Sequence, residues 1–493
     1  MISKKNACIA ILLALLLGTS SLPALHAKEN EPAYGLILKD GQITLNGKPY
    51  YAMGVNYYDA FLVYLRGDRQ EQGNIENEFK TLSESGIPAV RISMCGYSSN
   101  EYGVFLDYKK FYFSGLDRVI EYAEQYHIGI IFDLCWAIDA IPNYYDLPRS
   151  AIGDPDGPVI PAACDYVRAI VSRYKNSPAV WAWEIGNEYN LDCDLDGVLT
   201  RPAEQTVTSD DVETFYRALA EVIREEDPYR LITGGDSEPR NAAYHLYHDD
   251  SWQLDSQAEQ AEMMRKLSPA PMNTMSVHVY QNTGNSEEDA GTLRENMIDD
   301  FDTRVDWYMK AAREAGQALM VGEFGIMERT CASVEVAKKV LAAQCAAFEK
   351  HDVQLSFIWV YGKDDGDIMN ISPTNSLSYQ YDAVVEGNIR LREAGKQESD
   401  SYWNSVTPML YGVPEQDRSP VDTIAGEETD SPANTDSALP SDNESNESSE
   451  TDAPASGNDR QHRIASVAAI TAACAAIIAA GAAIIRLGKR RKS

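Results

Sequence analysis

The sequence lacks the marks of a protein built around a metal or made to bind nucleic acid. None of its eight cysteines stands in a CxxC spacing or beside a His pair, so the ligand pattern of a zinc site is missing. Asp364, Asp365 and Asp367 around Gly366 fall short of the fuller ligand set of a calcium loop and read as an exposed acidic loop. No metal and no other cofactor is expected. Basic residues are scarce, 43 Lys and Arg against 75 Asp and Glu, for a formal charge of −32. Phosphate binding needs concentrated cation, which argues against a nucleic-acid partner. What the chain does hold is apolar and aromatic: 44% hydrophobic residues, with 28 Tyr and 7 Trp. That is enough to fill a large core and leave rings over for a binding cleft.

Both ends carry address signals. Lys4 and Lys5 precede the apolar run Ile9 to Leu17, and small residues then lead to Ala27, the pattern of a signal peptide over 1–27. Ile464 to Ile485 has no charge and is followed by Arg486, Lys489, Arg490, Arg491 and Lys492. The expectation is a transmembrane helix over 464–485 with a basic cytoplasmic tail over 486–493. Residues 412–460 are acidic and nearly empty of large apolar side chains, so they read as a disordered linker. The expectation from these signals is a folded part on the extracellular face of a cell membrane, held by one span; separately, a monomer is expected. Six cysteines lie in the folded part, where buried free thiols and a Cys95–Cys135 pairing both stay open.

From Pro32 to Tyr411 one pattern recurs: a short apolar strand, a loop, then an amphipathic helix. A hairpin around Asp40-Gly41 opens it. Strands read Tyr51 to Val55, Ala89 to Ser93, Gly129 to Leu134, Val180 to Ile185, Leu231 to Thr233, Met275 to Val279, Ala318 to Val321 and Leu355 to Val360. Helices read Glu78 to Ser85, Phe113 to Tyr126, Ala162 to Tyr174, Ser209 to Glu226, Met297 to Ala315 and Val334 to Lys350. Eight strands alternating with helices predict an α/β fold, a (β/α)8 TIM barrel over 32–411.

In such a barrel, chemistry collects at the carboxyl ends of the strands. Those ends carry, in order, Asn56-Tyr57-Tyr58, Arg91, Cys135-Trp136, Asn187-Glu188, Asp236, His278 with Tyr280, Glu323 and Trp359. Two glutamates at the fourth and seventh ends supply what hydrolysis of an acetal with retention requires: one carboxylate to attack the anomeric carbon, one carboxyl to protonate the leaving oxygen. Glu184 shares a face with Glu188 but lies deeper, so it reads as a hydrogen-bonded core acid.

The segments Val90-Arg91-Ile92-Ser93, Trp181 to Glu188, Ser276 to Tyr280, Val321 to Gly325 and Phe357-Ile358-Trp359 resemble the successive strand ends of the cellulase and β-mannanase family, glycoside hydrolase family 5. The resemblance covers essentially the whole folded region. It implies that Glu188 is the acid/base, that Asn187 binds the sugar 2-hydroxyl and that Glu323 is the nucleophile. Arg91 and Tyr280 would hold Glu323 ionised, His278 would line the same subsite, and Trp359 would be the platform under the sugar ring. Trp136 is a further candidate for substrate contact. The chain departs from the family at Cys135, where cellulases tend to have His and many mannanases Asn; a thiol replaces neither as a partner for a hydroxyl. The expected function is a retaining β-glycoside hydrolase acting on β-1,4-mannan or glucan. The alternatives are a surface carbohydrate-binding protein without catalysis and a glycosidase for host glycans or glycolipids.

Overall fold

The computed structural model describes residues 34–67, 69–94, 98–195, 206–281, 299–362 and 369–411. The signal peptide, the linker, the 464–485 run, the basic tail, Cys95 and the acidic loop at Asp364 to Asp367 all lie outside the described residues. Among the described residues no helix is long and apolar enough to cross a membrane.

The chain opens on β1 (Leu36–Lys39) and β2 (Gln42–Leu45), paired antiparallel with Leu36 opposite Leu45. Asp40 and Gly41 turn the hairpin at φ 52° and 77°, the left-handed pair that a two-residue loop demands. Asn46 and Gly47 repeat the device at φ 50° and 75° and add β3 (Lys48–Pro49). This small sheet closes the amino-terminal end of the barrel. Gln354, just ahead of the last barrel strand, accepts from Ile43 N at 2.7 Å and donates to Ile43 O and Tyr50 O at 2.8 and 3.1 Å.

Eight parallel strands follow: β4 (Ala52–Asn56), β5 (Ala89–Ser93), β6 (Gly129–Cys135), β7 (Val180–Gly186), β8 (Leu231–Thr233), β9 (Thr274–His278), β10 (Ala318–Phe324) and β11 (Leu355–Ile358). They hydrogen-bond in the order β8-β7-β6-β5-β4-β11-β10-β9. The seam between β8 and β9 is bridged by Asn273, whose N donates to Ile232 O at 3.3 Å and whose side-chain oxygen accepts from Ile232 N at 2.8 Å. Every residue of these strands is buried, as expected for parallel strands covered on both faces.

Helices lie between successive strands and after the last. Ser209–Glu226 shows why: Val212, Phe215, Tyr216, Leu219, Ala220 and Ile223 are buried at helical spacing, each large one contributing about 1.5–3 kcal/mol on leaving water. Thr208 and Asp211 cap its start reciprocally. Among the described residues, helices beyond the sequence reading include Ser99–Asp107, Ala243–Asp249, Gln257–Lys266 and Ser378–Glu393. The last completes the outer layer against β4, where Asn388 donates to Met53 O at 2.7 Å and accepts from Met53 N at 3.0 Å.

Candidate active site

At the carboxyl ends of the strands the inward positions stop being apolar. Arg91 of β5 is the hub and has no exposed surface. Its Nε donates to Glu184 Oε1 at 2.5 Å, its Nη1 to Asn56 Oδ1 and Glu323 Oε1, both at 3.0 Å, and its Nη2 to Asn187 Oδ1 at 2.8 Å. Asn56 is itself fixed by donating to Gly322 O at 3.0 Å. The Trp136 ring lies over the guanidinium, 4.8 Å away, so the cation is clasped by acceptors in its plane and by a π face above it.

Glu323 sits where β10 carries an extra residue relative to both neighbours, its register shifting between Val321 and Glu323 against β9 and between Val321 and Phe324 against β11. A bulge at a strand end re-aims a side chain. The other oxygen of Glu323 accepts from the Tyr280 hydroxyl at 2.8 Å. Burial raises the Glu323 pKa, while His278, Arg91 and Tyr280 act to lower it and Glu188 to raise it further. Gly322 is required beside it, because a β-carbon there would stand 2.7 Å from His278 Nε2.

Glu188 follows β7 in a left-handed conformation, φ 55° and ψ 31°, which costs a non-glycine residue about 1–3 kcal/mol. Its N donates to Gly235 O at 2.9 Å. Gly235 has φ 76°, and a β-carbon there would collide with Gly186 O at 1.8 Å. Burial pushes the Glu188 pKa up, Arg91 and the Ser237 hydroxyl pull it down, and Asp192 pushes it up. His278 Nδ1 lies 3.1 Å from Glu188 Oε1 and 3.4 Å from Glu323 Oε1. Burial lowers the His278 pKa to about 3. The imidazole is therefore neutral at ordinary pH, and the Nδ1–H tautomer is the one that serves two acceptors.

One oxygen of Glu188, one of Glu323 and a ring nitrogen of His278 all lie within 4.8 Å of one another. The same spacing suits a metal ion, but the Arg91 guanidinium already occupies the cationic position against Glu323. A second such trio, His245, Asp255 and Glu259, lies away from the site, and its Asp255 accepts from Tyr244 N at 2.9 Å and His245 N at 3.3 Å.

Arg91, Asn187, Glu188, His278, Tyr280 and Glu323 thus form one hydrogen-bonded constellation. Trp136 and Trp359 pack beside it with their ring centroids 6.0 Å apart, and Trp359 stacks on Tyr58 at 5.3 Å with the planes 17° apart. Trp136 is buried and Trp359 half-buried. The Cys135 thiol is buried, and its carbonyl accepts from the Tyr189 hydroxyl. Of the other strand-end residues read from sequence, Asn56 is brought against Arg91 and Tyr58 against Trp359, and the structure adds Ser237 against Glu188. Asp236, also read at a strand end, accepts from Tyr216 at 2.9 Å, and burial raises its pKa to about 7.

The family model for cellulase, glycosyl hydrolase family 5, matches residues 48–364. Mannan endo-1,4-beta-mannosidase 7 of Arabidopsis thaliana is 29% identical over 190 residues, 34% of this chain and 43% of its own length. Putative mannan endo-1,4-beta-mannosidase 4 of the same plant is 27% identical over 256 residues, 47% of this chain and 58% of its own. The chain therefore spans about half the length of these relatives. The crystal structure of the endo-1,4-beta-mannanase from Rhizomucor miehei superposes with a TM-score of 0.53 at 16% identity, covering 72% of this chain and 99% of that one, a likeness that shows the shared barrel. Running from β3 past the eighth barrel strand, the family match takes in more than half of the chain, which belongs to the cellulase family, glycosyl hydrolase family 5.

Proposed function

We propose that this protein hydrolyses β-glycosidic bonds of a polysaccharide with retention of anomeric configuration, with β-1,4-mannan ahead of glucan as substrate. The observation that carries the reading is the closeness of the two carboxylates, with oxygens within 4.8 Å. Retaining enzymes hold their carboxyl groups about 5–5.5 Å apart, whereas inverting ones need about 6.5–9.5 Å to admit a water. Glu323, kept anionic by Arg91 and Tyr280, attacks the anomeric carbon while Glu188 gives its proton to the departing oxygen. Water, losing a proton to Glu188, then attacks the same carbon and releases Glu323. Asn187 spends its oxygen on Arg91, which leaves its amide N–H groups to donate to a sugar hydroxyl. Trp359 offers the half-buried ring face on which a sugar stacks. The preference for mannan rests on the names of the relatives.

The receptor reading would be favoured by loss of either glutamate, and both are present. The address signals complete the proposal by placing the barrel outside the cell on a single membrane span. The test is to follow the products of mannan, glucomannan, cellulose and aryl β-glycosides by proton NMR. A first-formed β anomer is expected, and an α anomer would overturn the double-displacement reading. Glu323→Gln should lower turnover by more than about 10⁴-fold, the scale on which loss of a covalent nucleophile acts; turnover near that of the wild type would remove Glu323 from the role.

A further inference from the structure

Below the constellation lies a charge problem that the reaction itself does not use. Asp133 of β6 and Glu184 of β7 face each other in register across neighbouring strands, which run about 4.8 Å apart in a sheet. Both side chains are wholly inaccessible to solvent. Arg91 is the cation that both face. Glu184 Oε1 takes its Nε at 2.5 Å, while the nearest Asp133 oxygen stays 3.9 Å from Nη2, beyond hydrogen-bond range. Both Asp133 oxygens and Glu184 Oε2 are buried with no donor among the described side chains or backbone. The charges do not balance either, since Glu184, Glu323 and Asp133 would place three anions on one guanidinium. His278, neutral, offers no further charge.

Two buried carboxylates at this separation cannot both stay ionised, because their repulsion adds to the cost of desolvating each. A single proton between them removes the repulsion and gives two of the three orphaned oxygens a partner at once, one on each carboxyl. We propose that Asp133 and Glu184 share one proton, Asp133 donating to Glu184, and that this carboxyl–carboxylate pair fixes Arg91 and through it Glu323. Asp133 is then a positioning residue. Its hydroxyl turns one oxygen of Glu184 away, so that the other meets Arg91 Nε squarely. Withholding its charge also leaves Arg91 to neutralise two anions rather than three, and one of those two is Glu323. The role assigned to Glu323 rests on the hydrolase reading, whereas the shared proton stands on the geometry alone.

Infrared difference spectra of the full chain at neutral pH, wild type against Asp133→Asn, test the proton directly. An amide keeps the shape and a donor but cannot be a carboxyl. The expected difference is the loss of one deuterium-sensitive protonated-carboxyl band with the carboxylate bands unchanged. Loss of a carboxylate band with no protonated one would show Asp133 to be a plain anion and overturn the proposal. Kinetics on mannan or an aryl β-glycoside test the positioning. Asp133→Asn should keep most of kcat, whereas Asp133→Leu, which has no donor, should lower kcat about 10- to 100-fold, as loss of a supporting contact does, without a comparable change in KM. Equal losses in Asn and Leu variants of normal near-ultraviolet circular dichroism would sink the donor role. If the Leu variant does not fold, the infrared comparison decides alone, and it does so whether or not the chain is a hydrolase.

Discussion

Glu188 must be protonated in the first half of the proposed reaction and ionised in the second, and its surroundings fit that double duty. Burial holds its proton more tightly than in an exposed carboxyl, and Arg91 and Ser237 keep it from being held too tightly. Activity needs Glu188 protonated, so it falls as pH rises through the Glu188 pKa. It also needs Glu323 ionised, so it falls as pH drops through that group's pKa. Burial raises both, which moves the whole bell above that of an exposed pair of glutamates, whose pKa is about 4.3. His278 adds no limb, since its lowered pKa of about 3 keeps it neutral across the range. Glu188→Ala should therefore lose the alkaline limb. Its rate on mannan should fall by about 10²–10⁴, the usual worth of general acid catalysis. Aryl glycosides with good leaving groups should suffer far less in the first step, with azide restoring the second. Equal losses on good and poor leaving groups without rescue would remove the acid/base role.

Between helix Ser209–Glu226 and β8, the turn Asp227 to Arg230 ties the amino-terminal ends of two strands. Asp227 Oδ2 accepts from Trp183 Nε1 at 2.9 Å and Arg230 Nη1 at 2.5 Å, and Arg230 donates to Val180 O, Lys175 O and Ser177 O, each at 2.7 Å. Burial alone would raise the Asp227 pKa, but Arg230 and Trp183 outweigh it and hold it below the ordinary value. Asp227→Asn leaves a buried guanidinium without its counter-ion and should cost about 3–5 kcal/mol of stability, with little change in kcat because the site lies at the other end of the barrel. A depressed carboxyl pKa contributes stability above the unfolded value, about 3.9, and loses it as pH falls through the folded value. The gap between wild type and variant in urea unfolding should thus narrow in acid; a gap independent of pH would mean that the charge is not what matters. Asp133 and this turn show what one sequence withholds. The strand ends are legible where a buried apolar run stops at a polar residue, as Ala318 to Gly322 stops at Glu323. Inter-strand register is not legible, so the pairing of Asp133 with Glu184 stays hidden. Gln257–Lys266 is too polar for periodicity to reveal it, although its Ser256–Glu259 capping box was a readable signal. Ser378–Glu393 hides similarly, burying Gln380 and Asn388 among its apolar contacts.

For the chain as a whole, the question is where the barrel works, and the answer rests on residues after 411. The run 464–485 carries no charge and would reach about 33 Å as a helix at 1.5 Å per residue, against about 30 Å of hydrocarbon. Its Ala-rich composition makes insertion less strongly driven than a Leu-rich run of equal length, so the basic residues that follow it become important. Arg486, Lys489, Arg490, Arg491 and Lys492 resist translocation and favour the cytoplasmic side. The acidic stretch ahead of it would repel itself and hold the barrel away from the membrane, within reach of a polymer too large to enter a cell. On this proposal, a chain truncated after Asp459 is released into the medium with full activity. The complete chain sediments with membranes and stays there in high salt, because burial of apolar surface, unlike attraction between charges, is not screened. Replacing the five basic residues by Ser or Gln should weaken retention while leaving kcat on soluble substrates unchanged. A full-length protein that washes off with salt, or is found free in the medium, would end the tethered picture and leave the chemistry at Glu188 and Glu323 to be judged by its own tests.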